Sequence, residues 1–315
     1  MSGRGHEHRH PGAYKSDEAT RALLLSVAGL SVTAVVQLVI ALASGSVALL
    51  ADTLHNFGDI STAVPLGVAF WLGRRPPNDR YTYGYGRAED LAGIFIVLSL
   101  AGSAALAGWE AVHRFLHPSH VHHVGWVVVA GLVGFAGNEL VAHYRVRVGR
   151  KIGSAALVAD GLHARTDGVT SLGVVVGAAG VALGWRIADP IMGVSITLAI
   201  VLAARTAARD IYRRLMDSVD PALVGQIESV LKSAPGVEEV EHVRVRWVGH
   251  DLHAEADVVS DCELRLSEAH DIAEEAEHRL LHEVPHLARA TIHSCPCRHG
   301  GRELHTLTAH HKPKE

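Results

Sequence analysis

Long apolar runs fill the first two thirds of the chain. Six of them are long enough to cross a bilayer core of about 30 Å, and they occupy residues 22–43, 47–72, 90–112, 124–146, 154–183 and 187–209. The pattern predicts a six-helix transmembrane domain over residues 21–216. A polar, histidine-containing segment over residues 1–20 precedes it and is predicted to be a disordered tail.

After residue 216 the pattern changes to that of a small soluble domain. Residues 221–233 have helical spacing, residues 237–248 and 252–259 alternate apolar and polar side chains, and residues 288–293 predict a short strand. Ser267 predicts the N-cap of a charged amphipathic helix that ends near Leu281. The order α-β-β-α-β predicts a compact α/β domain over residues 217–298, with its helices on one face of the sheet. Residues 299–315 are predicted to be a flexible tail.

Lysine and arginine concentrate in alternate loops between the apolar runs. The N-terminal segment, the second and fourth loops and the segment after the sixth run hold nearly all of them. The first loop has none, the third has only Arg114 and the fifth only Arg186. By the positive-inside rule both termini are predicted to lie in the cytoplasm.

One phrase occurs twice within the apolar runs. Residues 45–59 are G-S-V-A-L-L-A-D-T-L-H-N-F-G-D, and residues 153–167 are G-S-A-A-L-V-A-D-G-L-H-A-R-T-D. Each copy places a His and an Asp four residues apart, on one face of a helix. An ionisable group at membrane depth costs about 2.5–3.5 kcal/mol, so two matching pairs indicate a function. Two imidazoles and two carboxylates predict a divalent-metal site formed by His55, Asp59, His163 and Asp167.

The two copies are predicted to run in opposite directions through the bilayer, because three spans separate the second apolar run from the fifth. This is an inverted 3+3 repeat, which is common in secondary transporters that bind their substrate at the repeat interface. His55 is expected to lie about 12–15 Å from the outer membrane surface, and His163 at a similar depth from the inner surface. Both pairs can therefore meet near the midplane.

Protons are expected to compete with the metal at this site, because only neutral His and ionised Asp coordinate a metal. The predicted activity is metal export in exchange for protons by alternating access. Near neutral pH the two histidines are expected to carry the protons. Asp52 and Asp160, three residues before each His, are expected to orient the imidazole or to bond a neighbouring helix. Glu139 is expected to be an accessory proton group or a packing group.

Histidine is unusually frequent, with 23 His against 3 Cys in 315 residues, and the net charge is −4. This net charge argues against a nucleic-acid-binding protein, because such domains are strongly basic. The three late cysteines indicate a reducing compartment rather than a disulfide framework. Cys295 and Cys297 add sulfur ligands that suit zinc. A second metal site is predicted in the soluble domain, with the candidate ligands His242, His253, His270, His293 and Cys295.

These features resemble the cation diffusion facilitator family of bacterial zinc/proton antiporters. The resemblance covers about residues 21–297 and includes the six spans, both H-x-x-x-D pairs, the Y-G-Y-G-R-A-E run at residues 83–89, Asp189-Pro190 and the C-terminal domain. It implies a homodimer in the cell (inner) membrane with a cytoplasmic ferredoxin-like (metallochaperone-like) domain. It also implies that His55, Asp59, His163 and Asp167 carry Zn²⁺, or alternatively Co²⁺ or Cd²⁺, because a His occupies the helix-two position.

Three further expectations follow from the resemblance alone. A charge interlock is implied between Arg87 and Asp217. A cytoplasmic zinc site is implied at the four histidines of the soluble domain, with Cys295 in the place of an acidic ligand, although the stretch between His253 and His270 is longer than in some members. No metal is expected in the loop between helices two and three, where Asn78, Tyr81 and Tyr85 stand at the matching positions.

Other classes of function remain open at this point. An intramembrane metalloprotease would carry H-E-x-x-H in an apolar run, and none of the six runs has this motif. The chain is therefore not expected to be an enzyme. A passive divalent-metal channel and a membrane zinc sensor are the alternatives to a carrier.

Overall fold

The computed structural model describes residues 11–44, 63–116, 124–185 and 188–297. The chain divides into two compact units, Met1–Met216 and Asp217–Glu315. The described part of the first unit consists of helices. They are α1 (Pro11–Ser44), α2 (Ala63–Gly73), α3 (Ala88–Leu116), α4 (Val124–Ile152), α5 (Ala155–Ala182) and α6 (Ala188–Leu215).

Four stretches are long and apolar enough to cross a membrane, namely Asp17–Ile40, Ala88–His113, Gly125–Ile152 and Ile191–Leu215. Helix α5 is 28 residues long, but Asp160, Arg165 and Asp167 lower its hydropathy. Large apolar side chains such as Leu24 and Leu98 are exposed on α1 and α3, as lipid-facing side chains must be. The prediction of a membrane domain built from several apolar helices is confirmed.

Helix α1 begins at Pro11, within the segment that the sequence predicts as a flexible tail. Its first turns have partners elsewhere in the unit. Asp17 pairs with Arg74 at 3.2 Å, and Glu18 pairs with Lys151 at 2.6 Å. These contacts give the polar residues before the first apolar run a reason to be helical.

Helices α4 and α5 pack closely in an antiparallel register because glycines line their contact. A Cβ atom added to Gly161 of α5 would lie 3.0 Å from the backbone nitrogen of Val146, and one added to Gly149 of α4 would lie 2.9 Å from that of Val158. Helix association in a bilayer depends on such close approach of small residues. Gly161, which lies inside the second copy of the repeated phrase, therefore has a packing role.

The second unit consists of α7 (Pro221–Lys232), β1 (Glu239–Val248), β2 (Asp251–Ser260), α8 (Leu266–Glu283) and β3 (Leu287–Pro296). The predicted order α-β-β-α-β is confirmed. The prediction that Ser267 caps α8 is wrong, because the cap is Arg265, whose backbone N–H donates to the Glu268 carboxylate at 2.8 Å. This local bond starts the helix before Ser267.

The sheet of the second unit is mixed. Strand β2 is central, antiparallel to β1 and parallel to β3, with α8 as the crossover between the parallel strands. Ile227 and Leu231 of α7 and Leu280 of α8 pack with Leu252 and Val258 of β2 in one core. The face of the sheet that carries Leu252 and Val258 is therefore covered by the helices, and the opposite face is called the outer face below.

Candidate metal sites

Helix α5 presents half of the predicted transport site. His163 is 2% exposed and Asp167 is 9% exposed, one helical turn apart. The Thr166 hydroxyl donates to the His163 carbonyl at 2.6 Å, which ties that hydroxyl to the helix backbone. The other half of the site, His55 and Asp59, lies outside the described residues, as does Asp52.

Asp160 and Arg145 form a fully buried ion pair one turn before His163. The Arg145 Nη1 and Asp160 Oδ2 atoms are 2.8 Å apart, and the two side chains are 2% and 0% exposed. The pair joins α5 to α4. Of the two roles expected for Asp160, bonding a neighbouring helix is the one that the structure shows.

Glu139 and Arg165 form a second ion pair between α4 and α5. The Arg165 Nε and Nη2 atoms donate to the two Glu139 carboxylate oxygens at 3.1 and 2.8 Å. Both side chains are more than a third exposed, at 39% and 37%. Helix α4 thus contributes Arg145 and Glu139, and α5 contributes their partners Asp160 and Arg165. The charges of the two ion pairs therefore cancel.

The residues of the predicted interlock lie in different units. Arg87, the residue before α3, contacts Asp90 in the first turn of that helix, with 3.9 Å between Nη1 and Oδ2. Asp217 adopts a left-handed backbone conformation with φ 52°. The interlock stays a prediction.

The loop between α2 and α3 is organised by the three residues at which no metal is expected. The Asn78 side-chain amide donates to the Tyr85 hydroxyl at 2.8 Å, and the Asn78 carbonyl oxygen accepts from the Tyr81 backbone N–H at 2.8 Å. The Tyr81 and Tyr85 ring centroids are 4.7 Å apart. Hydrogen bonds and ring packing give these side chains a structural role.

In the second unit, one row of side chains crosses the outer face of all three strands. His242 of β1 is registered with Asp257 of β2, and Asp257 is registered with His293 of β3. Directly opposite residues on paired strands project from the same face. These three residues, called the outer-face row, therefore place two imidazoles and one carboxylate on neighbouring strands of one face.

Two single-residue register shifts create the outer-face row. One lies between Val240 and His242 in β1, where Glu241 is the extra residue, and the other leaves Ala288 extra in β3. A β-bulge turns all following side chains to the opposite face. Without these shifts His242 and His293 would point into the helix-covered core.

The other predicted ligands of this domain lie elsewhere. His253 is registered with Arg246 and Arg289, about 13 Å along β2 from Asp257. Burial and the Arg289 and Arg246 charges lower the pKa of His253, and the same charges oppose a divalent cation. His270 is exposed on α8, a helix that packs on the core face. Cys295 is buried with Val259 and Cys297.

Asp257 is the residue that sequence reasoning did not select. The signal for it was present in the spacing of apolar residues, which breaks period two at both bulges. In β1 the apolar side chains stand at Val240, Val243 and Val245, so one interval is three residues long. Strand β3 has the same long interval between Leu287 and Ala290.

A separate group of possible ligands lies at the end of the sheet. Ligand atoms of Asp261, Cys262 and Cys297 all lie within 4.8 Å of one another. The Cys262 backbone N–H donates to the Cys297 sulfur at 3.1 Å. The hydrogen bond between the two thiols is the main cause that raises the pKa of Cys262 to about 11, so this thiol keeps its proton at neutral pH.

Two H-E-x-x-H sequences occur outside the apolar runs, one at residues 6–10, which lie outside the described residues, and one at residues 282–286. A metalloprotease needs both histidines on one face of a continuous helix. Helix α8 ends at Glu283, and His286 lies beyond it with φ 68°. The two imidazoles therefore do not have the i, i+4 helical relation that this chemistry requires.

Comparison with protein families gives two matches that together cover most of the chain. The family model for the cation efflux transmembrane domain matches residues 23–216. The model for the cation efflux protein cytoplasmic domain matches residues 219–297.

Individual relatives agree with this assignment. A probable cation efflux system protein of Mycobacterium tuberculosis (strain H37Rv) is 55% identical over 300 residues, covering 93% of this chain and 90% of the relative. The magnetosome protein MamB of Paramagnetospirillum magneticum is 28% identical, covering 79% and 84%. The manganese efflux system protein MneS of Bacillus subtilis is 26% identical, covering 82% and 90%.

Proposed function

Because the chain belongs to the cation efflux family, a family of transporters rather than enzymes, we propose that it exports Zn²⁺ from the cytoplasm in exchange for protons. The observation that supports this best is the buried His163–Asp167 pair on α5. Together with His55 and Asp59 it would supply two nitrogen and two oxygen ligands. The four side chains alternate between holding Zn²⁺ and holding protons.

Zinc is proposed over manganese because of the ligand types. Imidazole nitrogen suits zinc, whereas manganese prefers sites of carboxylate, carbonyl and water oxygen. A set of two His and two Asp fits tetrahedral Zn²⁺. Co²⁺ and Cd²⁺ are the further substrates that this set would accept.

The proposed antiport is tested in liposomes that hold the purified protein and equal Zn²⁺ on both sides. An imposed pH gradient is expected to drive net zinc movement toward the acidic side, because protons leave that side as zinc enters it. Collapse of the gradient with a proton ionophore should stop the movement. Protein-free liposomes are the control. Zinc that moves only down its own gradient would show a passive channel instead, and an absence of movement in either setting would favour a sensor.

We propose the outer-face row as the cytoplasmic metal site, with Asp257 as the ligand between the two imidazoles instead of the predicted His253. Its two imidazoles and its carboxylate are ligands that zinc accepts. Metal bound here would stabilise the folded domain by mass action, because the unfolded chain has no such row. His270 and Cys295 are left as possible further ligands from outside the row.

We expect Asp257→Asn to lower zinc affinity of this domain by about 10- to 100-fold, and His253→Asn to leave it unchanged. The reason is that Asp257 lies between the two imidazoles, whereas His253 lies between two arginines. Zinc binding is measured by calorimetry on the full-length protein in detergent, in a background in which Asp167→Asn weakens the transport site and Cys262→Ser removes the exposed thiol at the end of the sheet. Equal losses in both variants would contradict the assignment of the row.

We further propose a homodimer in the cell inner membrane, with both termini in the cytoplasm. The proposal is supported by the loop charges, by the apolar helices of the first unit, and by the family match of the second unit. The Arg87–Asp217 interlock belongs to the same proposal.

A further inference from the structure

The end of the sheet brings together three side chains that the transport site and the outer-face row do not use. Strands β2 and β3 are parallel, so their carboxyl ends lie at one edge of the domain. The backbone N–H of Cys297 donates to the Ser260 carbonyl at 2.8 Å, which fixes Cys297 beside the residue that precedes Asp261. The turn after β2 then places Cys262 against the Cys297 sulfur.

We propose that Asp261, Cys262 and Cys297 form a binding site for a soft or borderline divalent cation of the Zn²⁺, Co²⁺ and Cd²⁺ class. Two thiolates and one carboxylate are ligands for such ions, and water completes the tetrahedron. The site is distinct from the outer-face row, because Cys297 stands four residues beyond His293, about 13 Å further along the strand direction.

The distances fit this assignment. Tetrahedral zinc with bonds of about 2.0–2.3 Å needs ligand atoms about 3.3–3.8 Å apart. The present separations, all within 4.8 Å, can close by rotation of exposed side chains. Asp261 and Cys262 are exposed, whereas Cys297 is buried. Cys297 therefore provides a fixed sulfur, and the other two ligands can move to meet a metal.

The surrounding hydrogen bonds suit a metal-bound thiolate. The Cys262 N–H aimed at the Cys297 sulfur stabilises negative charge there. The Asp261 Oδ1 atom accepts from the Glu263 backbone N–H at 2.9 Å, which holds the turn in place. One divalent cation replaces the two thiol protons, so binding releases two protons to solvent and the charge of the site changes little.

The test uses Cd²⁺ with the full-length protein in detergent and a phosphine reductant. Cadmium thiolates absorb in the near ultraviolet, and the chain has only 3 Cys, so the band reports this region alone. The wild type is expected to show a saturable thiolate band whose final amplitude corresponds to one thiolate-bound Cd²⁺ per protomer and which is displaced by Zn²⁺. Cys262→Ser and Cys297→Ser should lose most of it, whereas Cys295→Ser should keep it.

Asp261→Asn should weaken Cd²⁺ binding by about tenfold, with Glu263→Gln as the matched control. Cys262 is exposed, so Cys262→Ser remains informative even where Cys297→Ser lowers folding yield. Asp167→Asn should leave the band intact, which separates this proposal from the transport mechanism. An absent band, or one that persists in Cys262→Ser or vanishes in Cys295→Ser, would overturn the proposal. Thiols that resist alkylation until reduced, with no band after reduction, would identify a disulfide pair instead.

Discussion

Replacing Asp167 with Asn is expected to lower the rate of zinc transport by about 100-fold or more, since even groups that only orient a ligand contribute 10- to 100-fold to metal affinity. The amide keeps the size of the carboxylate but cannot neutralise the cation. The buried position of Asp167 makes the loss of metal affinity larger, because the attraction between a carboxylate and a cation is stronger where little water surrounds them. The rate is measured in the same liposomes under an imposed pH gradient.

Glu139→Gln is the matched control for this prediction. It makes the same acid-to-amide change at a residue of the neighbouring helix whose carboxylate is bound to Arg165. The amide can still accept one hydrogen bond from Arg165, so transport should fall far less than in Asp167→Asn. Asp167→Asn protein that transports zinc at the wild-type rate in sealed vesicles would remove α5 from the proposed site.

The apolar pattern is sufficient to predict the described helices, apart from the polar first turns of α1, and the order of elements in the soluble domain. Period and length carry that information directly. Contacts between side chains of different helices are harder to predict from the sequence. The pairing of Arg145 with Asp160 depends on the register between α4 and α5, which close contacts of Gly149 and Gly161 determine. No periodicity within a single helix specifies that register.

The soluble-domain site shows a sharper limit. A strand of alternating residues predicts which side chains share a face only while the register is unbroken. The extra residues Glu241 and Ala288 reverse the faces of the histidines that follow them. The sequence places His253 among the predicted ligands, which stays a prediction, and the register brings Asp257 between His242 and His293. In the sequence, the only marks of these two bulges are the apolar intervals of three residues in β1 and β3.

The buried Arg145–Asp160 pair is expected to produce the largest stability effects in the first unit. Removing one partner leaves an unpaired charge in the helix contact, which costs about 3–5 kcal/mol. Arg145→Met and Asp160→Leu should therefore each lower the midpoint of denaturation strongly, as measured on the purified protein in mixed detergent. Because Asp160 stands one turn before His163, zinc transport should fall in both single variants as well.

The double variant separates the cost of an unpaired charge from the benefit of the pair. Two apolar side chains that replace a buried ion pair are often neutral or stabilising, so Arg145→Met with Asp160→Leu should recover most of the lost stability. A double-mutant cycle should then give a coupling energy of several kcal/mol. The partly exposed Glu139–Arg165 pair between the same two helices is the control, for which a smaller coupling energy is expected because neither side chain is enclosed by the protein. Additive single effects at Arg145 and Asp160, or equal coupling in the two pairs, would show that burial does not set the strength of this contact.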